Sequence, residues 1–188
     1  MSFAATLRRI FPTRPVRAVL VGLVVLAFAA AASGGSTVER WQAHAPLPEP
    51  RTEVAAGLAG DQIVVVGGFV EGGGSSARAD GYSIASDRWS RLPDLPASVD
   101  HAAAASAVGR VYVLGGYGAD RRPLRSAFVL EEGSWRKLAG LPEPRAAAAA
   151  AISSGKLYVV GGVDGTGLAR VALAFDLRAG RWSRVPGP

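Results

Sequence analysis

Three glycine pairs constrain this chain more than any other feature. Val64-Val65-Val66-Gly67-Gly68, Val111-Tyr112-Val113-Leu114-Gly115-Gly116 and Leu157-Tyr158-Val159-Val160-Gly161-Gly162 each run an apolar stretch into Gly-Gly. Such a stretch reads as a buried strand, and the glycines mark backbone that takes positive φ or packs too closely for a Cβ. The first glycines stand at 67, 115 and 161, so the unit recurs after 48 and then 46 residues. A period in that range belongs to repeat folds, whose units bury their apolar faces only against one another.

The rest of the unit falls into register around the pairs. Leu47-Pro48, Leu95-Pro96 and Leu141-Pro142 each stand 20 residues ahead of a first glycine, and Arg51, Val99 and Arg145 stand 16 ahead. After each pair comes an aromatic (Tyr82, Phe128 or Phe175), followed seven residues later by Trp89, Trp135 or Trp182, while Trp41 lies 48 residues before Trp89. At these residues the chain resembles the kelch repeat, whose pattern is an apolar strand ending in Gly-Gly, then a spaced aromatic, then tryptophan. The resemblance covers residues 38–188 and implies an all-β, kelch-type β-propeller. Three four-stranded blades are expected at 51–92, 99–138 and 145–186. Residues 38–46, around Trp41, are expected as a lone N-terminal fourth strand that closes another sheet, as propeller rings commonly do.

Within the first unit, Val54 to Ala59 reads as the first strand, Gly60-Asp61 as a hairpin turn and Gln62 to Val66 as the second strand. In the other two units the same slot holds alanine runs, Ala102 to Ala105 and Ala146 to Ala151. Local propensity favours helix there, whereas the repeat register assigns a strand, and the register is followed here. Gly67, Gly68, Gly115, Gly116, Gly161 and Gly162 read as structural, as do Trp41, Trp89, Trp135 and Trp182, whose rings are expected between blades. Asp176 is expected to tie down the turn between the third and fourth strands. The final Arg184-Val185-Pro186-Gly187-Pro188 is in phase with the Leu141-Pro142 segment, so the ring is expected to be incomplete. The remaining blades are then supplied by missing sequence or by a second chain.

Residues 1–36 read as a secretory signal or signal anchor. Arg8 and Arg9 precede the apolar run Ala18 to Ala32, and small residues follow at Ala30 to Gly35. Fifteen apolar residues are short of the ~20 that a membrane span needs. The repeats are therefore expected to be exported from a bacterial-type cell, to the periplasm, the surface or beyond. Contact with a membrane would come only through an uncleaved leader.

Charge and composition narrow the function classes. The net charge of +6 falls to +2 once the four arginines before residue 38 are set aside. No basic stripe with interleaved aromatics runs through the repeats, so nucleic acid is not expected as a partner. The Glu71 to Ser76 glycine-rich loop opens no readable helix, which argues against a phosphate cradle. Zero cysteines exclude disulfides, thiolate catalysis and cysteine-ligated metal, and the two histidines, His44 and His101, lack ligand-like spacing to carboxylates. No catalytic residue, metal or cofactor is expected.

What remains is a binding module that presents propeller loops to a protein or carbohydrate. The resemblance places the start of each first strand and the loop after each glycine pair at the rims. That nominates Arg51, His101, Arg121, Arg122 and Arg145 as ligand-binding candidates, with arginine suited to carboxylates. A bracing role at the Leu-Pro turn fits Arg51 and Arg145 equally. Two other readings stay open: an exported sugar-processing enzyme resembling N-acetylneuraminate epimerases, and a nonfunctional remnant of a longer propeller.

Overall fold

The computed structural model describes residues 41–185. The leader lies outside the described residues. Residues 41–46 form no strand and Trp41 is exposed, whereas residues 38–40 of the expected closing strand are outside the described range.

Among the described residues there is no helix, and fourteen strands follow one another. A two-residue ribbon, β1 (Arg51–Thr52), leads into β2 (Ala55–Ala59), β3 (Gln62–Val66), the ribbon's partner β4 (Phe69–Val70), β5 (Ala79–Ser83) and β6 (Arg88–Leu92). Next come β7 (Ala103–Ala107), β8 (Arg110–Leu114), β9 (Ala127–Glu131) and β10 (Ser134–Lys137). The last four are β11 (Ala149–Ser153), β12 (Lys156–Val160), β13 (Ala172–Asp176) and β14 (Arg181–Val185). They make three four-stranded antiparallel sheets, β2-β3-β5-β6, β7-β8-β9-β10 and β11-β12-β13-β14. The innermost strands β2, β7 and β11 lie side by side, so the sheets are successive blades of a propeller.

The alanine runs are strands. Helix propensity differs between residues by well under 1 kcal/mol per position, and cross-strand pairing overrides it. Ala103 pairs with Leu114 and Ala149 with Val160. Small side chains also suit a strand pressed between neighbours: a Cβ on Gly57 would stand 2.5 Å from Ser106 Oγ of the next blade.

Two apolar cores hold the blades together. Val64, Val66 and Ala79 of the first blade meet Val111, Val113, Phe128 and Leu130 of the second. Tyr112, Leu114, Ala127 and Val129 of the second meet Leu157, Val159 and Phe175 of the third. The tryptophans add a polar clamp at each blade. Trp89, Trp135 and Trp182 donate Nε1–H to the carbonyls of Ala45, Pro93 and Ala139, at 2.8, 2.8 and 2.7 Å. Each acceptor lies in the connector that enters the blade. The three indoles are half-buried, with the N–H satisfied, which is a stable arrangement for this side chain.

The seven-residue aromatic-to-tryptophan spacing conceals a difference. Trp89 pairs with Tyr82 and Trp182 with Phe175, but Trp135 pairs with Leu130, two residues past Phe128. The middle hairpin turns on only Glu132-Gly133, both at positive φ (49° and 75°). That is the tight turn favoured between twisted strands. The other two blades use longer loops, and in the third Asp176 Oδ1 accepts from the amides of Arg178 and Ala179 at 3.0 and 2.7 Å. Asp176 thus ties down its turn as the sequence led us to expect.

The first two glycine pairs leave no room for a Cβ. A Cβ on Gly115 would stand 2.0 Å from the Arg145 carbonyl oxygen of the next blade, and one on Gly67 would stand 2.6 Å from that of Val99. Gly115→Ala is therefore expected to destabilise the chain by about 3 kcal/mol or more, combining the cost of positive φ with backbone displacement. Gly109→Ala, at φ 71° with open space around it, should cost only about 1–2 kcal/mol; urea unfolding of both variants separates the two effects. Val108 precedes Gly109 as an exposed β-branched residue at φ 51°. Val108→Asn should raise the urea midpoint, with a gain of about 1 kcal/mol.

Candidate functional site

One end of each blade carries the ribbon residue after the glycine pair, Phe69, Tyr117 or Val163, and a residue at positive φ, Glu53, His101 or Ala147 (53°, 50° and 53°). Backbone hydrogen bonds link these last three positions across the blades. His101 N donates to Glu53 O at 3.1 Å, and Ala147 N donates to His101 O at 2.9 Å. Left-handed backbone costs a non-glycine residue about 1–2 kcal/mol, and these inter-blade bonds offset that cost. The His101 side chain is thereby turned into the junction of the first two blades.

A polar and aromatic cluster fills that junction. Asp100 is fully buried and accepts from Ser75 Oγ at 2.6 Å and from Arg121 NH1 at 2.9 and 2.8 Å, and it pairs with His101 Nδ1 at 2.7 Å. Glu53 approaches His101 Nε2 at 3.4 Å. The Arg121 guanidinium lies 4.7 Å from the ring centres of both Phe69 and Tyr117, within cation–π range of each. His101 meets both rings edge-on. The result is a fixed guanidinium between two aromatic walls, anchored from below by a carboxylate. Burial alone would raise the Asp100 carboxyl, but the bonds from Ser75, His101 and Arg121 outweigh it and hold the group below its ordinary value.

The five candidates named from sequence separate into two groups. His101 and Arg121 meet in this cluster, with side chains 27% and 51% exposed. Arg122, in the same loop, is 84% exposed and reaches only Asp120 of its own turn, at 4.0 Å. Arg51 and Arg145 are not available to a ligand, because their side chains are buried. Arg51 NH1 donates to the carbonyls of Gly67 and Arg78, and NH2 donates to the buried Asp80. Arg145 donates to the carbonyls of Pro144 and Val171 and to Glu143. Both are internal braces. Arg51 pins the start of its blade to Gly67 and to the third strand, whereas Arg145 ties the Glu143-Pro144 connector to Val171, at the start of the third strand.

Asp100, Phe69, Tyr117, Ser75 and Glu53 were not singled out from sequence. Phe69 and Tyr117 carried a usable signal, since each directly follows a glycine pair. Asp100 carried none, because its significance comes from partners 21 to 25 residues away.

The cluster does not have the order of a hydrolytic triad. In such a triad the histidine stands between the acid and the hydroxyl, whereas here Asp100 stands between His101 and Ser75. Among the described residues no group of three or more histidine, cysteine or carboxylate side chains is placed to hold a metal ion.

Residues 50–96 and 144–188 match the Kelch motif family. The chain belongs to the kelch-repeat family. The matches flank the middle blade, the copy with Val99 in the arginine position and the shortened hairpin. The kelch chain is 33% identical over 78 residues to Kelch-like protein 25 of Xenopus tropicalis, covering 42% of this chain and 13% of that protein. It is 35% identical over 71 residues to Kelch-like protein terF of Aspergillus terreus, covering 36% and 16%. The solved structure of YjhT superposes with a TM-score of 0.71 at 15% identity, over 81% of this chain and 57% of that one. That likeness shows the fold. The kelch chain thus spans a small part of these curated relatives and about half of YjhT.

Because the folded Asp100 carboxyl lies below its ordinary value, its stabilising effect is complete above the unfolded pKa of ~4 and is lost as pH falls through the lower folded value. Asp100→Asn should lower stability at neutral pH by about 2 kcal/mol. The gap to the wild type should narrow steadily below about pH 4, as measured by urea unfolding across the acid range.

Proposed function

We propose that this chain is an exported binding module, which receives an oxygen-rich group of a protein or carbohydrate ligand, a carboxylate above all, at the Arg121 platform. The supporting observation is the state of the guanidinium. Arg121 NH1 is committed to Asp100, while Nε and NH2 make no hydrogen bond among the described residues and the side chain is half exposed. A cation already fixed between two rings loses little rotamer entropy on binding, and its planar donors suit a carboxylate. Asp100 offsets the charge, so directed donors rather than net charge do the recognising. Export follows from the leader and places the ligand outside the cytoplasmic membrane.

The test is a screen of immobilised acidic peptides and acidic oligosaccharides against the chain, followed by titration of the strongest hit. Arg121→Ala should weaken that binding by about tenfold or more. Arg122→Ala, in the same loop but outside the cluster, should leave it within about twofold. Equal losses in the two variants would mean that loop charge, not the platform, holds the ligand.

A further inference from the structure

We propose that the outer face of the third blade binds the first blade of a second copy of this chain, head to tail. The two internal junctions show what such a face requires. At each, the second glycine donates to the carbonyl of the next blade's leading residue: Gly68 N to Val99 O at 2.8 Å and Gly116 N to Arg145 O at 2.7 Å. That residue's amide returns to the loop behind the pair, Val99 N to Ser76 O and Arg145 N to Leu124 O, both at 2.9 Å. A leucine amide adds a third bond, Leu95 N to Ala77 O at 2.8 Å and Leu141 N to Arg125 O at 2.9 Å.

On the third blade the equivalent groups, Gly162 N and the carbonyls of Ala169 and Arg170, make none of these bonds among the described residues. A Cβ on Gly161 would meet nothing within 4 Å, although its counterparts Gly67 and Gly115 are pressed against the following blade. Val160, the counterpart of the buried Val66 and Leu114, is 53% exposed.

The first blade offers the complement. By register, Arg51 corresponds to Val99 and Arg145, and Leu47 to Leu95 and Leu141. The backbone of Arg51 and Leu47 thus stands ready with the same carbonyl and amides. The apolar surfaces correspond too. Val54, Leu58 (48%) and Ile84 (54%) are exposed, while their counterparts Ala148, Ile152 and Leu177 pack against the core between the second and third blades. Each face lacks what the other carries. The occupant must present a carbonyl, an amide and apolar side chains in kelch register, and a second copy does. Such a heterologous contact closes a ring if its rotation permits and otherwise propagates.

Sedimentation of the full chain, in a mild detergent that keeps the apolar leader from associating, tests this. Self-association is expected at micromolar concentration. Val160→Arg on one face and Leu58→Arg on the other should each weaken it by about a hundredfold, since each puts a charge into the apolar contact. Both positions are exposed, so circular dichroism should show that the single chains stay folded, with Ile84→Arg as an alternative to Leu58→Arg. Mixing the two variants restores one intact junction and should recover a complex of two chains. A chain that stays monomeric at about a hundredfold higher concentration, association that both variants leave intact, or no recovery on mixing would overturn the proposal.

Discussion

The hydrogen bond from a glycine amide to the leading carbonyl of the next blade is the contact on which the rest of this structure depends. Gly68 reaches Val99 and Gly116 reaches Arg145, and the preceding glycines leave no room for a Cβ at the same points. Two apolar surfaces alone could slide over each other, because burial is not directional. A buried amide cannot, because leaving it unpaired costs about 1–3 kcal/mol. The glycine pairs therefore set the register in which the blades pack, and the valine, leucine and aromatic side chains fill the space that this register defines.

The candidate site is a consequence of that register. Asp100 follows Val99 directly, so the bond that seats Val99 on Gly68 also buries the Asp100 carboxylate beside Ser75 of the preceding blade. From there it anchors Arg121, which arrives from the loop behind the second glycine pair. Phe69 comes from the first blade and Tyr117 from the second, and the guanidinium lies between them. No single repeat contains the platform. It exists only at the junction, and the third blade has Ala147 and Val163 where the second has His101 and Tyr117, so the chemistry is not repeated there.

The buried arginines show how position in a repeat can mislead. Arg51 and Arg145 recur at one register position close to the loop end of their blades, which is equally what a recognition residue and a brace would do. Their burial decides between the two. Each guanidinium serves carbonyls of its own blade and a carboxylate, Asp80 for Arg51 and Glu143 for Arg145. The middle blade, with Val99 there, closes without one, since Val99 is itself part of the apolar core. The aromatic spacing misled in a similar way. Seven residues separate Phe128 from Trp135 as in the other blades, yet the tight Glu132-Gly133 turn shifts the pairing to Leu130.

By itself the sequence determined the period, the all-β architecture, the strand assignment of the alanine runs and the kelch character of the chain. These rest on local regularities, apolar runs ending in glycine and tryptophans at fixed offsets, and the regularities repeat because every blade meets its neighbour in the same way. Tertiary structure alone decided which arginines face solvent, where the middle hairpin turns and that Asp100, Phe69, Tyr117 and Arg121 form one site. Those outcomes depend on groups far apart in the chain, brought together by inter-blade packing, and on whether a side chain's charge is satisfied inside the fold before any ligand reaches it. Burial and hydrogen-bond partners are properties of the assembled blades, and no spacing along the chain encodes them.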